Sequence, residues 1–439
     1  MFQARMSHFF YWVLLTCFVC SQFRGASADG GKTSSDVRRT VLNGHRLPVI
    51  AIAFSPQGNR LTSVSLFGIV KHWDLPGGNH KTWLTTGWVS TAACFSQDGR
   101  ALAVACDNTN EIRIWDTFDP IPKGAPVSAL GKPRLVLKGH ANAVSAVAFS
   151  LNAEMLASGS GDGVVKLWDT HTGKEIASNK AHRGSVYSVV FSPNGKTVAS
   201  GGEGGDIALT PTSKGTRKKI SGHPATSMIS ALAFTPDGSL LASSAVDLEK
   251  DKNCQLKLWH VETSKLRVDL KLKGTTYLSS LAFAPDGKTL ATAGVVHTFQ
   301  TTGPNSYSYR DLGEVRTWDV KSGKLKKSLI SWHSDPFASL VFSPDGKILA
   351  AGCGDSTINL WYLDGKESIK YWKRRRLLRQ HGSARHLHVW QRLLQKLDTL
   401  FGDHRILQVQ VAQRLDVLQM RKCLVGYRRV LDIECRQFR

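Results

Sequence analysis

Histidine, serine and aspartate occur together twice at similar spacing in the sequence. The residues are His140, Ser158 and Asp162, and then His223, Ser243 and Asp247. In many hydrolases these three residue types act as nucleophile, base and orienting acid. Catalysis needs one exposed set, whereas a set that recurs at fixed spacing indicates a structural role. The sequence therefore predicts no catalytic residue and no enzyme activity.

Other patterns that could support chemistry are weak. The sequence has no G-x-S-x-G, Walker A, H-E-x-x-H or EF-hand pattern. The glycine-rich segment Gly201–Gly205 (GGEGG) is expected to be a turn between two strands. The six cysteines that follow residue 28 contain no C-x-x-C spacing, which favours buried thiols over a disulfide framework or a metal site. We therefore predict no bound metal and no cofactor.

One short phrase, typified by Phe-Ser-Pro-Asp-Gly, recurs seven times along the chain. Its phenylalanines are Phe54, Phe95, Phe149, Phe191, Phe234, Phe283 and Phe342. A tryptophan follows in six repeats, at Trp73, Trp115, Trp168, Trp259, Trp318 and Trp361. In the fourth repeat the corresponding position is Thr210. Repeats of about 40–45 residues are typical of four-stranded propeller blades, so the pattern predicts seven blades.

With these anchors the chain resembles the WD-repeat family of β-propellers. The resemblance covers about residues 42–366, and its best copy is Leu137–Thr170 (LKGHANAVSAVAFSLNAEMLASGSGDGVVKLWDT). It implies an all-β, seven-bladed WD-repeat β-propeller. It also implies a ring closed by the N-terminal segment Val37–Leu42, which would form the outer strand of blade seven.

The resemblance further implies a buried hydrogen-bonded tetrad in each well-preserved blade. In the third blade it corresponds to His140, Ser158, Asp162 and Trp168, and in the fifth to His223, Ser243, Asp247 and Trp259. Other blades depart from the pattern. Phe67 replaces the aspartate in the first, Ala351 replaces the serine in the seventh, and Gly204 with Thr210 interrupts the fourth. We expect these blades to pack differently.

Insertions between the second and third strands of blades five and six mark a candidate partner-binding surface. Loops placed on a rigid frame often carry function, and aromatic and arginine side chains dominate interface energetics. The candidate residues are His297, Phe299, Tyr307, Tyr309 and Arg310 in blade six, with Lys250, Asp251 and Lys252 in blade five. A proline-rich insertion, Phe118–Pro133, is expected on the opposite face.

The segment 367–439 differs in composition from the repeats. It carries 17 of the 57 Lys and Arg and 6 of the 34 Asp and Glu, a net of +11 out of +23, which leaves +12 for residues 1–366. We expect a basic C-terminal tail that is helical or disordered. Its KRRR run at 373–376 would suit nucleic acid, but a charge run is more often a solvated surface.

The first 28 residues have the features of a secretory signal peptide. Arg5 precedes the apolar run Phe9–Cys20, and Ala26-Ser27-Ala28 is a small-residue cleavage site. The run is shorter than the approximately 20 residues that span a bilayer. We therefore predict a signal peptide (1–28), a linker (29–35), a propeller (36–366) and a tail (367–439) in a secreted or periplasmic protein with no transmembrane segment after cleavage.

Together these features predict a non-catalytic, monomeric scaffold that binds a protein or peptide through loops on one propeller face. A glycan partner is an alternative, since aromatic rings also stack on sugars. A hydrolase or lyase at the mouth of the channel is the alternative from another functional class. Nucleic acid is the least favoured partner because of the predicted export.

The signal peptide gives the first testable prediction. Cleavage after Ala28 should leave Asp29 as the first residue of the mature protein, because the small-residue site ends there. Mass spectrometry of the purified N-terminus would measure this. Protein that retains Met1 in the cytoplasm would contradict the prediction.

Overall fold

The computed structural model describes a defined part of the chain. It covers residues 37–85, 90–106, 109–117, 132–249, 254–272, 274–303, 306–330 and 337–363. Within these ranges, only the backbone is described for 83–85, 297–303, 306–312 and 330. All of these residues lie in the compact unit Met1–Gly365.

Short strands of β-branched, aromatic and small residues form seven four-stranded antiparallel sheets. We call each sheet a blade and its strands a to d, from the inner strand to the outer one. Blade one is β2 (Val49–Phe54), β3 (Arg60–Ser65), β4 (Ile69–Asp74) and β5 (Asn79–Thr85). Blade two is β6 (Ser90–Phe95), β7 (Ala101–Cys106), β8 (Glu111–Asp116) and β9 (Leu135–Leu137). Blade three is β10 (Val144–Phe149), β11 (Met155–Ser160), β12 (Val164–Asp169) and β13 (Glu175–Lys180).

The remaining blades repeat this order. Blade four is β14 (Val186–Phe191), β15 (Thr197–Gly202), β16 (Asp206–Pro211) and β17 (Lys218–Ser221). Blade five is β18 (Ser227–Phe234), β19 (Leu240–Asp247), β20 (Cys254–His260) and β21 (Leu266–Leu270). Blade six is β22 (Thr275–Phe283), β23 (Thr289–Gly303), β24 (Ser306–Asp319) and β25 (Leu325–Ile330). Blade seven is β26 (Phe337–Phe342), β27 (Ile348–Cys353), β28 (Thr357–Tyr362) and β1 (Arg38–Asn43).

The a strands of successive blades contact each other in cyclic order, and β26 of blade seven contacts β2 of blade one. The seven sheets therefore form a closed β-propeller, and the fold expected from the repeats is confirmed. Because the strands alternate in direction, the a–b and c–d turns lie at one end, which we call the lower face. The b–c turns and the connections between blades lie at the other end, the upper face.

The repeated phrase forms the a–b turn. In blade four, the Ser192 hydroxyl accepts a hydrogen bond from the Thr197 amide at 3.0 Å, and the Asn194 side chain accepts one from the Lys196 amide at 3.0 Å. Gly195 has φ = 68°, a conformation that glycine adopts without a steric penalty. These requirements explain why a hydroxyl residue, Asn or Asp, and Gly recur in this order.

The ring is closed by β1, which pairs with β28 over six residues from Arg38 opposite Tyr362 to Asn43 opposite Thr357. Leu42 is buried in a cluster with Trp73 of blade one. The Arg39 guanidinium donates to Asn359 Oδ1 at 2.8 Å through Nε. The pairing places the N-terminal segment in the last blade, as the sequence predicted.

Substitution of Leu42 tests how much this closure stabilises the ring. Leu42→Ala should lower the free energy of unfolding by about 2–5 kcal/mol, because it removes buried methyl groups from a packed core. Asn43→Ala at the exposed end of the same strand is the matched control and should cost less than about 0.5 kcal/mol. Denaturant titration of both variants would measure this. Equal small losses would show that β1 contributes little to the stability of the ring.

Candidate functional site

Buried serine hydroxyls connect histidine to tryptophan within three blades. In blade three, Ser158 Oγ lies 2.7 Å from His140 Nε2 and accepts the Trp168 indole N–H at 2.8 Å. In blade five, Ser243 Oγ lies 2.8 Å from His223 Nε2 and accepts the Trp259 indole N–H at 2.7 Å. Each serine thus links the b strand to the c strand and to the connection that precedes the a strand.

The same arrangement occurs in blade one, which the sequence pattern had placed among the altered blades. Ser63 Oγ lies 2.6 Å from His45 Nε2 and accepts the Trp73 indole N–H at 2.8 Å. Phe67 at the aspartate position does not prevent these bonds. The spacing of the residues could have predicted this set, because the His45–Ser63 and Ser63–Trp73 intervals equal those of blade three.

The two predicted aspartates behave differently from each other. Asp162 Oδ2 lies 3.7 Å from His140 Nδ1 and accepts the Ala141 amide at 3.2 Å. Asp247 is not the hydrogen-bond partner predicted for His223. The His223 Nδ1 atom pairs instead with Gln255 Oε1 at 3.0 Å, while the Asp247 carboxylate accepts the Thr226 hydroxyl at 2.8 Å. Gln255 lies on β20 four residues before Trp259, the position that Val164 occupies in blade three.

Burial determines the electrostatic state of these histidines. It lowers the pKa of His45 to about 3 and the pKa of His182 and His223 to about 4, because a protonated ring would lose its hydration. Burial also lowers the pKa of His140, with the Asp162 carboxylate acting in the opposite direction. The imidazoles are therefore neutral at neutral pH and act as hydrogen-bonding partners of the serines.

The serines in these sets are enclosed by the protein. Ser63, Ser158 and Ser243 have no exposed surface, so their hydroxyls do not face a space that a substrate could enter. This geometry stabilises the blades and offers no nucleophile.

Metal-ligating groups and free thiols are the other features of the described residues that could support chemistry. Within the described ranges, no group of three or more His, Cys, Asp or Glu could hold a metal ion. Four cysteines there are free thiols: Cys94, Cys106, Cys254 and Cys353. Burial raises the pKa of Cys94 and Cys254 to about 12, which suppresses the reactive thiolate.

In the described part of the chain, no helical segment has the length and apolar character needed to cross a membrane.

The insertion in blade six is not the loop that the sequence suggested. Strand β23 pairs with β22 only as far as Val296, but its pairing with β24 continues to Gly303 opposite Ser306. The insertion is therefore a two-stranded hairpin on the upper face. Seven residues at about 3.3 Å each give it a length of about 23 Å beyond the last pair with β22. Threonine and aromatic residues, which favour strands, explain the ordered backbone.

The register of this hairpin brings the predicted residues of blade six together. His297 lies opposite Asp311, Phe299 opposite Tyr309, Thr301 opposite Tyr307, and Thr298 opposite Arg310. The predicted residues of blade five, Lys250, Asp251 and Lys252, lie outside the described residues, as does most of the proline-rich insertion of blade two. In the glycine-rich segment of blade four, Gly201 and Gly202 end β15, and the expected turn follows them, with Gly204 and Gly205 at φ = 97° and 69°.

A closed ring of seven four-stranded sheets, tied internally by His–Ser–Trp hydrogen bonds, defines a repeat β-propeller. The family model described as WD domain, G-beta repeat, matches residues 36–74, 131–169, 173–209, 215–260 and 323–362. The chain is also 31% identical to the small ribosomal subunit protein RACK1 of Caenorhabditis elegans, over 65% of this chain and 80% of that protein. The chain belongs to the WD-repeat family.

Two other relatives match over shorter segments. Human transducin beta-like protein 2 is 32% identical over 32% of this chain, and maintenance of telomere capping protein 5 of Saccharomyces cerevisiae is 29% identical over 36%. The chain spans 31% and 13% of the lengths of these two proteins. The similarity therefore concerns the propeller, the type of domain that typically serves as a protein-interaction scaffold.

Blade four shows how the chain compensates for a lost anchor. His182 Nε2 lies 2.9 Å from Ser200 Oγ, but Thr210 occupies the tryptophan position, and its buried Oγ1 has no hydrogen-bond partner. In blades one and five, a glycine precedes the histidine. A Cβ atom on Gly44 would lie 3.0 Å from Cη2 of Trp73, and a Cβ atom on Gly222 would lie 2.5 Å from Cη2 of Trp259. Blade four has Ala181 there, and with Thr210 in place of the tryptophan no indole ring opposes its methyl group.

This compensation predicts a coupling between the two positions. Thr210→Trp alone should destabilise the fold by about 1–3 kcal/mol, because the ring would meet the Ala181 methyl group in a packed core. With Ala181→Gly in the same chain, a favourable coupling energy of about 1 kcal/mol should appear in a double-mutant cycle.

Gly222→Ala in blade five is the reciprocal control and should destabilise the fold, since it places a methyl group against the Trp259 indole. Denaturant unfolding of the single and double variants would measure the cycle. Additive effects at positions 181 and 210 would contradict the compensation.

Proposed function

We propose that this chain is a non-catalytic scaffold, exported from the cytoplasm, that binds a protein or peptide partner through the upper face of blades five and six. The propeller supplies a rigid ring, and the hairpin of blade six is the largest departure from the regular blade among the described residues. A surface that differs from the repeat is the natural place for a function that the repeat itself does not explain.

The single observation that carries this proposal is the extended pairing of β23 with β24. It brings Phe299 and Tyr309 into register, and it places Tyr307 two residues from Tyr309 along the same strand. Aromatic residues provide large contact areas at low entropic cost. A partner could therefore gain affinity from a small, preorganised group of aromatic positions.

Export supports a partner outside the cytoplasm. The proposed export rests on the charged, apolar and small-residue segments before Asp29. Three of the free thiols described, Cys106, Cys254 and Cys353, are buried, which is compatible with export because thiols without access to solvent resist oxidation. We further propose that the propeller acts as a monomer in this role.

Replacement of the hairpin tests the proposed surface. Residues 297–310 would be exchanged for a short Gly-Ser linker, and the mature protein would be used to capture partners from the extracytoplasmic fraction. At least one polypeptide, identified by mass spectrometry, should be captured by the parent and lost with the linker. Its purified form should then bind the parent propeller directly.

A second variant separates the aromatic side chains from the hairpin itself. This variant combines Phe299→Thr, Tyr307→Thr and Tyr309→Thr. Threonine has high strand propensity, so the melting temperature should be retained. Binding should weaken by at least tenfold, because the aromatic centre of the interface is lost. Equal capture by parent and linker variant would place the binding surface elsewhere. Binding of free glycans, but of no polypeptide, would favour the glycan alternative.

A further inference from the structure

A concentration of cations lies on the lower face and outer rim of blades four to six. The c–d turns and the first residues of the d strands there, residues 212–219, 262–267 and 320–327, contain ten Lys and Arg and one Glu. We call these three segments the basic strip. The corresponding segment of blade three, residues 170–177, contains one Lys and one Glu. Blade three, the preceding neighbour, therefore lacks the excess charge.

Contacts between neighbouring blades join the three segments into one surface. Lys218 of blade four reaches the Glu262 carbonyl oxygen of blade five at 3.4 Å. Arg267 of blade five donates to the Val320 carbonyl oxygen of blade six at 3.2 Å. Each d strand thus borders the c–d turn of the next blade, and the cations form a continuous row.

Few anions on the strip compensate for this charge. Lys219 is paired with Asp206 at 2.6 Å. Lys214, Lys265, Lys321 and Lys324 are exposed and take part in none of the ion pairs found among the described residues. Adjacent cations of this kind raise the local potential and attract anionic groups.

Two leucines give the strip a second chemical character. Leu266 and Leu325 begin the d strands of blades five and six, each between basic residues, and their relative exposures are 48% and 50%. A purely ionic ligand would leave these side chains in water, whereas a peptide with apolar side chains would cover them.

Protection of the outer strands from unwanted pairing does not account for the strip. Lysines on an edge strand do discourage edge-to-edge association. Strand β9, however, contains no charged residue at all, so blade two forms its outer strand without such protection.

We infer that the basic strip binds an acidic polypeptide segment that also carries leucine-like side chains. Its carboxylates pair with the exposed lysines, and its apolar side chains cover Leu266 and Leu325. This surface lies on the face opposite the hairpin of blade six, so it is separate from the proposed partner surface there.

Defined probes test this inference without knowledge of the natural partner. A labelled short peptide of Glu-Leu-Glu-Ser repeats should bind the full chain, measured by fluorescence anisotropy, and the affinity should fall with added salt. The same peptide with Gln for Glu should bind at least tenfold more weakly. Lys265→Glu with Lys324→Glu should weaken binding of the acidic peptide by about tenfold.

Arg100→Glu with Lys174→Glu is the matched control, with the same change in net charge at the lower face of blades two and three. It should change the affinity by less than about twofold, because screened charges outside the strip contribute little. Leu266→Ser with Leu325→Ser should weaken peptide binding but leave the binding of a heparin fragment unchanged.

Three outcomes would overturn the inference. The acidic peptide could bind no better than its neutral analogue, or the control pair could weaken binding as much as the strip pair. Alternatively, a heparin fragment, single-stranded DNA or vesicles of anionic lipid could bind more tightly than the peptide and be insensitive to the leucine substitutions. That result would identify the strip as a general polyanion surface.

Discussion

Packing between neighbouring blades is the interaction on which the rest of the structure depends. In the six blades that have the tryptophan, it lies in a cluster with the preceding blade: Trp168 of blade three packs with Ile112 and Leu137 of blade two. The same relation holds for Trp318 and Leu270 across blades six and five. No blade has a core of its own, so each needs a neighbour on both sides. Only a closed ring meets this requirement for all seven.

Hydroxyl groups on the inner strands reinforce this packing near the axis of the ring. Thr91 of blade two donates to the Val144 carbonyl oxygen of blade three at 2.6 Å. Ser145 of blade three and Ser279 of blade six make the equivalent bonds to Val186 and Phe337. The inner strands therefore need small polar residues at this position, which explains why their sequences mix serine, threonine and alanine with larger apolar residues.

The sequence was sufficient for features that repeat and less so for features that do not. The phenylalanine and tryptophan positions predicted all seven blades, and the family resemblance predicted the outer strand of the last one. The hydrogen bond from His223 to Gln255 was missed because the repeat pattern assigns no partner to the position four residues before the tryptophan, where blade three has Val164. The ordered hairpin of blade six was expected as a loop, since its strand-forming residues alternate without a clear hydrophobic pattern. The basic strip combines segments about 50 residues apart, so it becomes visible only when the blades are placed side by side.

The pairing of Arg38 with Tyr362 makes the first and last strands of the propeller immediate neighbours. In packing terms no blade comes first, because blade seven contacts blade one as it contacts blade six. The order of the blades along the polypeptide is therefore a matter of where the ring happens to be opened. A circularly permuted chain, joined between these two strands and opened at an a–b turn such as Ser192–Lys196, would contain every sheet and every contact between blades. Only the position of the chain ends would differ: they would move around the lower face, from the c–d end of blade seven to the a–b turn of blade four.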